Sequence, residues 1–148
     1  MQDDFSISEI SLDGYQVVRG QYFSRVIEPA CSLWYSSIAF NTATFSALNS
    51  CDSVSILVNA NARCIIVKPV SSRDRDAVNW LRDKEKQKYQ KIECSRFTRQ
   101  IFDLWGWNNE LHYRTNGRLV MVDKKLMMMF DFSKPELWRG LKMVSEFE

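Results

Sequence analysis

Three features of the sequence converge on a β-rich α+β fold. Short apolar runs recur between turn-forming residues, as strands do in a small mixed domain. Two of these runs are followed directly by a residue suited to capping a helix. The order strand, capped helix, strand, strand is then met twice, from Ile38 to Val67 and from Ile92 to Phe132, which suggests an internal duplication packed as a pseudo-dimer around one core.

The elements follow in order. Residues 1–14 make an acidic leader with four acids and no base. Tyr15–Phe23 reads as a strand broken or bulged at Gly20, and Leu33–Tyr35 as a second short one. Ile38–Asn41 alternates apolar with small or polar residues and ends in a good N-cap, so a short helix starts there. Phe45 and Leu48 share one face of it, and Ala43 and Ala47 keep the remainder small. Val54–Val58 and Cys64–Val67 read as strands joined by a turn through Asn59–Ala62, because Asn tolerates left-handed backbone. Lys68-Pro69 ends that ladder.

Over residues 71–91 the composition turns polar and predicts a connector. Ala77, Val78 and Leu81 can anchor a turn or two of helix beside Trp80, whereas Arg82 to Lys88 has no apolar residue. Ile92–Cys94 is then a short strand, and Ser95 an N-cap. Phe97, Ile101, Leu104 and Trp105 make an apolar stripe at i, i+4, i+7 and i+8 of a helix that stops near Gly106. Asn116-Gly117 is the strongest turn signal in the chain and predicts a hairpin between Leu111–Thr115 and Leu119–Val122. Leu126–Phe132 is a further strand. Ser133-Lys-Pro-Glu136 has the capping-box pattern with Pro tolerated in the first turn, and predicts a C-terminal helix over 133–148 with Leu137, Leu141 and Val144 on one face. The whole is one domain, 1–148, with halves at 15–70 and 92–132.

Composition sets the class. With 148 residues, 45% of them hydrophobic and 13% aromatic, there is enough apolar material for a packed core. The opening MQDDFSISEI lacks the basic start and apolar run of a signal peptide, and no stretch approaches the roughly 18 apolar residues of a membrane span, so a cytoplasmic location with no membrane partner is expected. Cys31, Cys51, Cys64 and Cys94 contain no CxxC pair and fit neither a zinc knuckle nor a redox motif. Buried thiols are the expectation; two disulfides would be the reading for a secreted chain.

No pattern signals catalysis. GxSxG, GxxxxGK[ST] and GxGxxG are absent, so no nucleotide cofactor is implied. The single histidine, His112, sits between Leu111 and Tyr113 in an expected strand, where a structural or surface role is the ordinary one. Asp123 and Asp131 are the acids that could converge on a metal from strand ends, although Asp123 lies in an expected turn. Neither a metal site nor a catalytic site is expected. Met121, Met127, Met128 and Met129 with Phe130 and Phe132 form the most apolar stretch, read as a core strand or as an exposed Met-rich docking face. Trp105 and Trp107 are expected to seal the core of the second half, and Trp80 and Trp138 to serve an interface.

Charge is uneven. Residues 71–99 carry nine Lys/Arg against five Asp/Glu, a local balance of +4. Such a segment is either a solvated face or a phosphate contact.

The series YQVVRGQYFS, EPA, SIAFNTA, VSILVNANARCIIVKPV, DAVNW, IECSRF, LWGWN, YRTNG and MFDF, from about Tyr15 to Trp138, resembles a family of small proteins from clostridial and other gut bacteria. Members occur on mobile elements and are often labelled integrase. The resemblance implies a mobile-element setting. A tyrosine recombinase would need His-x-x-Arg, but His112 is followed three places later by Thr115. Ile38 to Val70 is also similar to the swapped-hairpin unit of AbrB-type regulators, which bind DNA as intertwined dimers. That likeness implies a β-barrel built from two such units, here both in one chain, presenting a basic face. The bases nearest such a barrel are Arg82, Lys84, Lys86, Lys88, Lys91, Arg96 and Arg99, and the last two fall in the first turn of the helix after Ser95, where backbone N–H groups favour phosphate. The sequence therefore points to a non-enzymatic protein that binds DNA or another nucleic acid. A protein-interaction module is the competing reading, and an enzyme with an unrecognised site the third.

Overall fold

The computed structural model describes residues 7–18, 28–83, 88, 89 and 91–144. Twelve strands and two helices follow one another along them: β1 (Ala30–Leu33), β2 (Ser37–Phe40), α1 (Thr42–Ala47), β3 (Ser53–Asn59), β4 (Cys64–Pro69), β5 (Val78–Asn79), β6 (Leu81–Asp83), β7 (Lys88–Tyr89), β8 (Ile92–Glu93), α2 (Ser95–Trp105), β9 (His112–Val122), β10 (Lys125–Asp131), β11 (Glu136–Arg139) and β12 (Lys142–Met143). The protein is β-rich with few helices, and most of its strands belong to one curled antiparallel sheet in the order β5-β3-β4-β10-β9-β1-β2-β8. A β11–β12 hairpin joins it by pairing β11 with β9, and β6 and β7 form a separate two-stranded sheet.

The expected order of strand, helix, strand and strand is present twice, as β2-α1-β3-β4 and β8-α2-β9-β10. Elements at corresponding places in the two halves pair with each other. The first strands meet through Ile38↔Ile92, and the last through Ile65↔Phe130 and Val67↔Met128.

Local chemistry explains the helix ends. Asn41, in extended backbone at φ −86° and ψ 171°, accepts a hydrogen bond from the Thr44 amide and starts α1. Helix α2 ends on Gly106 in the left-handed region at φ 67°, and the Trp107 amide reaches back 2.9 Å to the Phe102 carbonyl. Its N-cap is Cys94, with no side-chain cap bond, so the expected cap Ser95 is instead the first helical residue. The buried face of α2 is Thr98, Ile101, Phe102 and Trp105, while Leu104, counted above in the stripe, is exposed.

Among the described residues three expected elements are absent. Asn116-Gly117 is no turn: β9 runs straight through it for eleven residues, and the hairpin turns at Asp123-Lys124, both with positive φ. Residues 77–81 form no helix but the short strands β5 and β6, because Val54↔Val78 pairing places Val78 on the sheet and carries Trp80 into the core. Residues 145–148 lie outside the described residues, and in place of the expected C-terminal helix 133–144 form a hairpin, β11–β12, turning at Gly140 (φ 59°). Its first strand satisfies its backbone on the free edge of β9, which outweighs the local capping signal of Ser133. Leu33 ends β1, leaving Trp34 and Tyr35 in the turn to β2. Of the strand expected over 15–23, residues 15–18 show no regular structure and the remainder lies outside the described residues.

Two aromatic clusters fill the core. Trp80 is fully buried with edge contacts to Phe40 and Phe45 at 5.2 and 4.3 Å, and its Nε1 donates to the Cys51 carbonyl at 2.8 Å. Burial on this scale belongs to folding, so Trp80 is a core residue and not the interface residue expected from the sequence. In the second half Trp107 stacks on Tyr113 at 3.9 Å and meets Phe102, Trp105 and Phe132. Met127 and Met128 are buried, whereas Met121 stays exposed near the tip of the β9–β10 hairpin. All four cysteines are free thiols.

Candidate nucleic-acid interface

Strand β9 lies between β1 and β11 over its first residues, and pleating sorts its side chains onto two faces. Tyr113 turns inward opposite Leu33 and Leu137. His112 and Arg114 stand on the outer face, where Trp138 is directly opposite His112 and Glu136 opposite Arg114. The register also brings Trp34, one residue past the end of β1, beside His112.

A row of stacked rings results. Trp34 and His112 lie 4.5 Å apart at 25°, and His112 and Trp138 6.1 Å apart at 15°. The Lys91 ammonium sits 4.0 Å from the centre of the Trp34 ring. On the neighbouring Tyr35 the Arg99 guanidinium lies 4.9 Å from the ring centre. Two bases that the sequence places eight residues apart, one before β8 and one in α2, are thus gathered by the adjacent rings of one turn. Each such contact contributes about 0.5–1 kcal/mol at an exposed site.

Two ion pairs frame the row. Arg114 lies 3.6 Å from Glu136, whose Oε1 also accepts from Trp138 Nε1 at 3.0 Å, and the exposed Arg139 lies 3.9 Å from Glu110. Burial holds the His112 imidazole below the ordinary histidine range, and the nearby Lys91 and Arg114 charges push the same way. His112 is therefore neutral at pH 7, a flat polar ring between two indoles.

Of the bases expected to touch phosphate, Lys91, Arg96 and Arg99 are exposed, and Arg96 and Arg99 lie in the first half of α2. Arg82 lies in β6 and Lys88 in β7, while Lys84 and Lys86 fall outside the described residues. Trp138, expected at an interface, is half-buried in the ring row. Sequence reasoning missed Trp34, Tyr35, Arg114 and Arg139. The alternation Leu111, His112, Tyr113, Arg114 carried a signal, since it puts one polar and one apolar face on a strand.

The acids do not converge. Asp123 is in the β9–β10 turn and Asp131 at the far end of β10, roughly 25 Å away at strand rise. Asp131 accepts from the Ser133 amide at 2.9 Å, and hydrogen bonding to Ser133 holds its carboxyl below the usual range. Among the described residues no three His, Cys, Asp or Glu side chains gather as metal ligands, and no helix is long and apolar enough to cross a membrane. Comparison with protein-family models, with curated proteins and with solved structures finds no match.

Proposed function

We propose that this chain is a non-enzymatic, cytoplasmic nucleic-acid-binding or regulatory protein of a mobile element, whose phosphate contacts come from Arg82, Lys84, Lys86, Lys88, Lys91, Arg96 and Arg99. The observation that carries this reading is the gathering of Lys91 and Arg99 over Trp34 and Tyr35 beside the ring row. Cations held over these half-buried rings are pre-positioned, so they lose less side-chain entropy on meeting phosphate. The AbrB-like pseudo-dimer belongs to the same reading. What supports it is the pairing between corresponding strands of the two halves, β2 with β8 and β4 with β10.

A protein-interaction module is the second reading. It is favoured by the exposure of Leu119, Met121 and Val122 on the β9–β10 hairpin and by the partial exposure of Trp138. Fluorescence anisotropy with labelled duplex and single-stranded oligonucleotides, titrated across salt, separates the two. The nucleic-acid reading expects log affinity to fall linearly with log salt, with a slope lowered by about 0.9 for each of Lys91, Arg96 and Arg99 changed to Ala. Absence of binding at low salt removes that reading and leaves the protein-partner one.

A further inference from the structure

The curled sheet is open, with β5 as the terminal strand at one end and β8 at the other. Between those ends lies a cleft of about 210 Å³. Ile38 and Ile92 line it from β2 and β8, Ile56 and Val78 from β3 and β5, and Phe97 from the first turn of α2. Its polar lining is Asp76 and Cys94.

We propose that this cleft is a binding site for a small arylalkylamine, its ring among the isoleucines and its ammonium beside Asp76. Size and charge carry the assignment. A dry apolar cavity of about 150 Å³ accepts benzene, so the larger cleft takes a phenyl ring with a short alkyl tail. The walls are aliphatic and aromatic, as small-ligand sites are, with one carboxylate to fix orientation. Burial pushes the Cys94 thiol up to about 11, so it is neutral at pH 7 and leaves Asp76 as the one charge among the lining residues. An anionic ligand would meet that charge unfavourably, and a neutral alcohol would gain a hydrogen bond from it but no charge attraction. Because the walls come from both ends of the sheet, an occupant ties the ends together and stabilises the folded chain.

The test uses the full chain with ¹³C-labelled isoleucine methyls and three probes of one shape: phenethylamine, 2-phenylethanol and phenylacetate. Phenethylamine is expected to shift the methyl signals of Ile38, Ile56 and Ile92 saturably and to raise the melting temperature, with phenylacetate doing neither. Asp76 is exposed, so Asp76→Asn leaves the fold intact. That variant is expected to weaken phenethylamine by about fivefold, the scale of an exposed ion pair, with 2-phenylethanol unaffected. If those three methyls do not respond to the amine, there is no such site. Equal affinities for the amine and the alcohol, insensitive to Asp76→Asn, would overturn the amine assignment.

Discussion

Gly117 stands opposite Phe130 in the β9–β10 ladder, so close that a Cβ at position 117 would lie 2.6 Å from Phe130 Cε1 and 2.9 Å from Met128 Sδ. Phe130 and Met128 are fully buried, and Phe130 also packs against Phe40, so neither can yield cheaply. Gly117→Ala is expected to destabilise the protein by about 1–3 kcal/mol, the usual cost of overpacking. Urea unfolding measures this. In a Phe130→Leu background the same change costs less, because the ring that it strikes is gone; additivity of the two losses would show that the contact is not the cause.

The close approach also explains why Asn116-Gly117 misleads. The dipeptide has the composition of a tight turn, but its glycine serves a ring thirteen residues onward, which no local pattern reveals. Signals satisfied within one turn of chain were legible: the Asn41 cap, the Gly106 stop, and the hairpin from Val54 to Val67. Signals settled by distant partners were not. The Ser133 box yields because the Ser133 amide bonds Asp131 and the following residues find the edge of β9. Trp80 reads as exposed among polar neighbours until β5 is known to pair with β3. The ring row escaped for the same reason, since Trp34, His112 and Trp138 come from three parts of the chain that only the sheet aligns.

Asn41 does more than cap a helix. Its Oδ1 accepts from the Thr44 amide at 3.1 Å and from the Ala30 amide at 3.0 Å, and its Nδ2 donates to the Glu28 carbonyl at 2.6 Å. It therefore ties the start of β1 to the start of α1. Asn41→Ala is expected to cost about 2 kcal/mol or more, above the roughly 1 kcal/mol of an ordinary cap. Asn41→Asp keeps the acceptor contacts, that from Thr44 Oγ1 at 2.8 Å included, but sets a carboxylate oxygen against the Glu28 carbonyl, so it should fall between and nearer to Ala. Denaturant midpoints ranked in any other order would contradict this account.

The Trp80 indole combines packing with one hydrogen bond, and two substitutions separate them. Trp80→Phe retains a ring against Phe40 and Phe45 but leaves the Cys51 carbonyl without its donor, a loss of about 1–3 kcal/mol. Trp80→Ala adds a cavity and is expected to cost about 3–5 kcal/mol. A surface role for this residue would make both changes nearly silent in thermal unfolding.

Thiol chemistry should follow burial. Cys31 is fully buried and its thiol is pushed well up by desolvation, and Cys94 is pushed up to about 11 by burial and then by Glu93. At pH 8 about one Cys94 in a thousand is thiolate. The native protein is expected to react with a disulfide reagent far more slowly at Cys31 and Cys94 than the same chain in denaturant, read by mass after proteolysis. Rapid native labelling of Cys31 would mean that the β1–β2 region opens.

His112 gives the stability a pH dependence of defined sign. Burial, Lys91 and Arg114 all disfavour the imidazolium, so the folded pKa lies below the unfolded value of about 6.5. Between those two values the unfolded chain binds more protons, and stability rises with pH. His112 therefore contributes its full share above about pH 6.5 and loses it as pH falls through the window down to its folded pKa. Asp131, lowered by its Ser133 hydrogen bonds, loses its contribution only in more acidic solution. The melting temperature should thus decline from pH 7 to pH 5 in the native sequence, and decline less in His112→Gln, which cannot charge. Lys91→Ala should shrink the decline by removing one of the opposing charges. Identical pH profiles for the native chain and His112→Gln would place the acid sensitivity elsewhere.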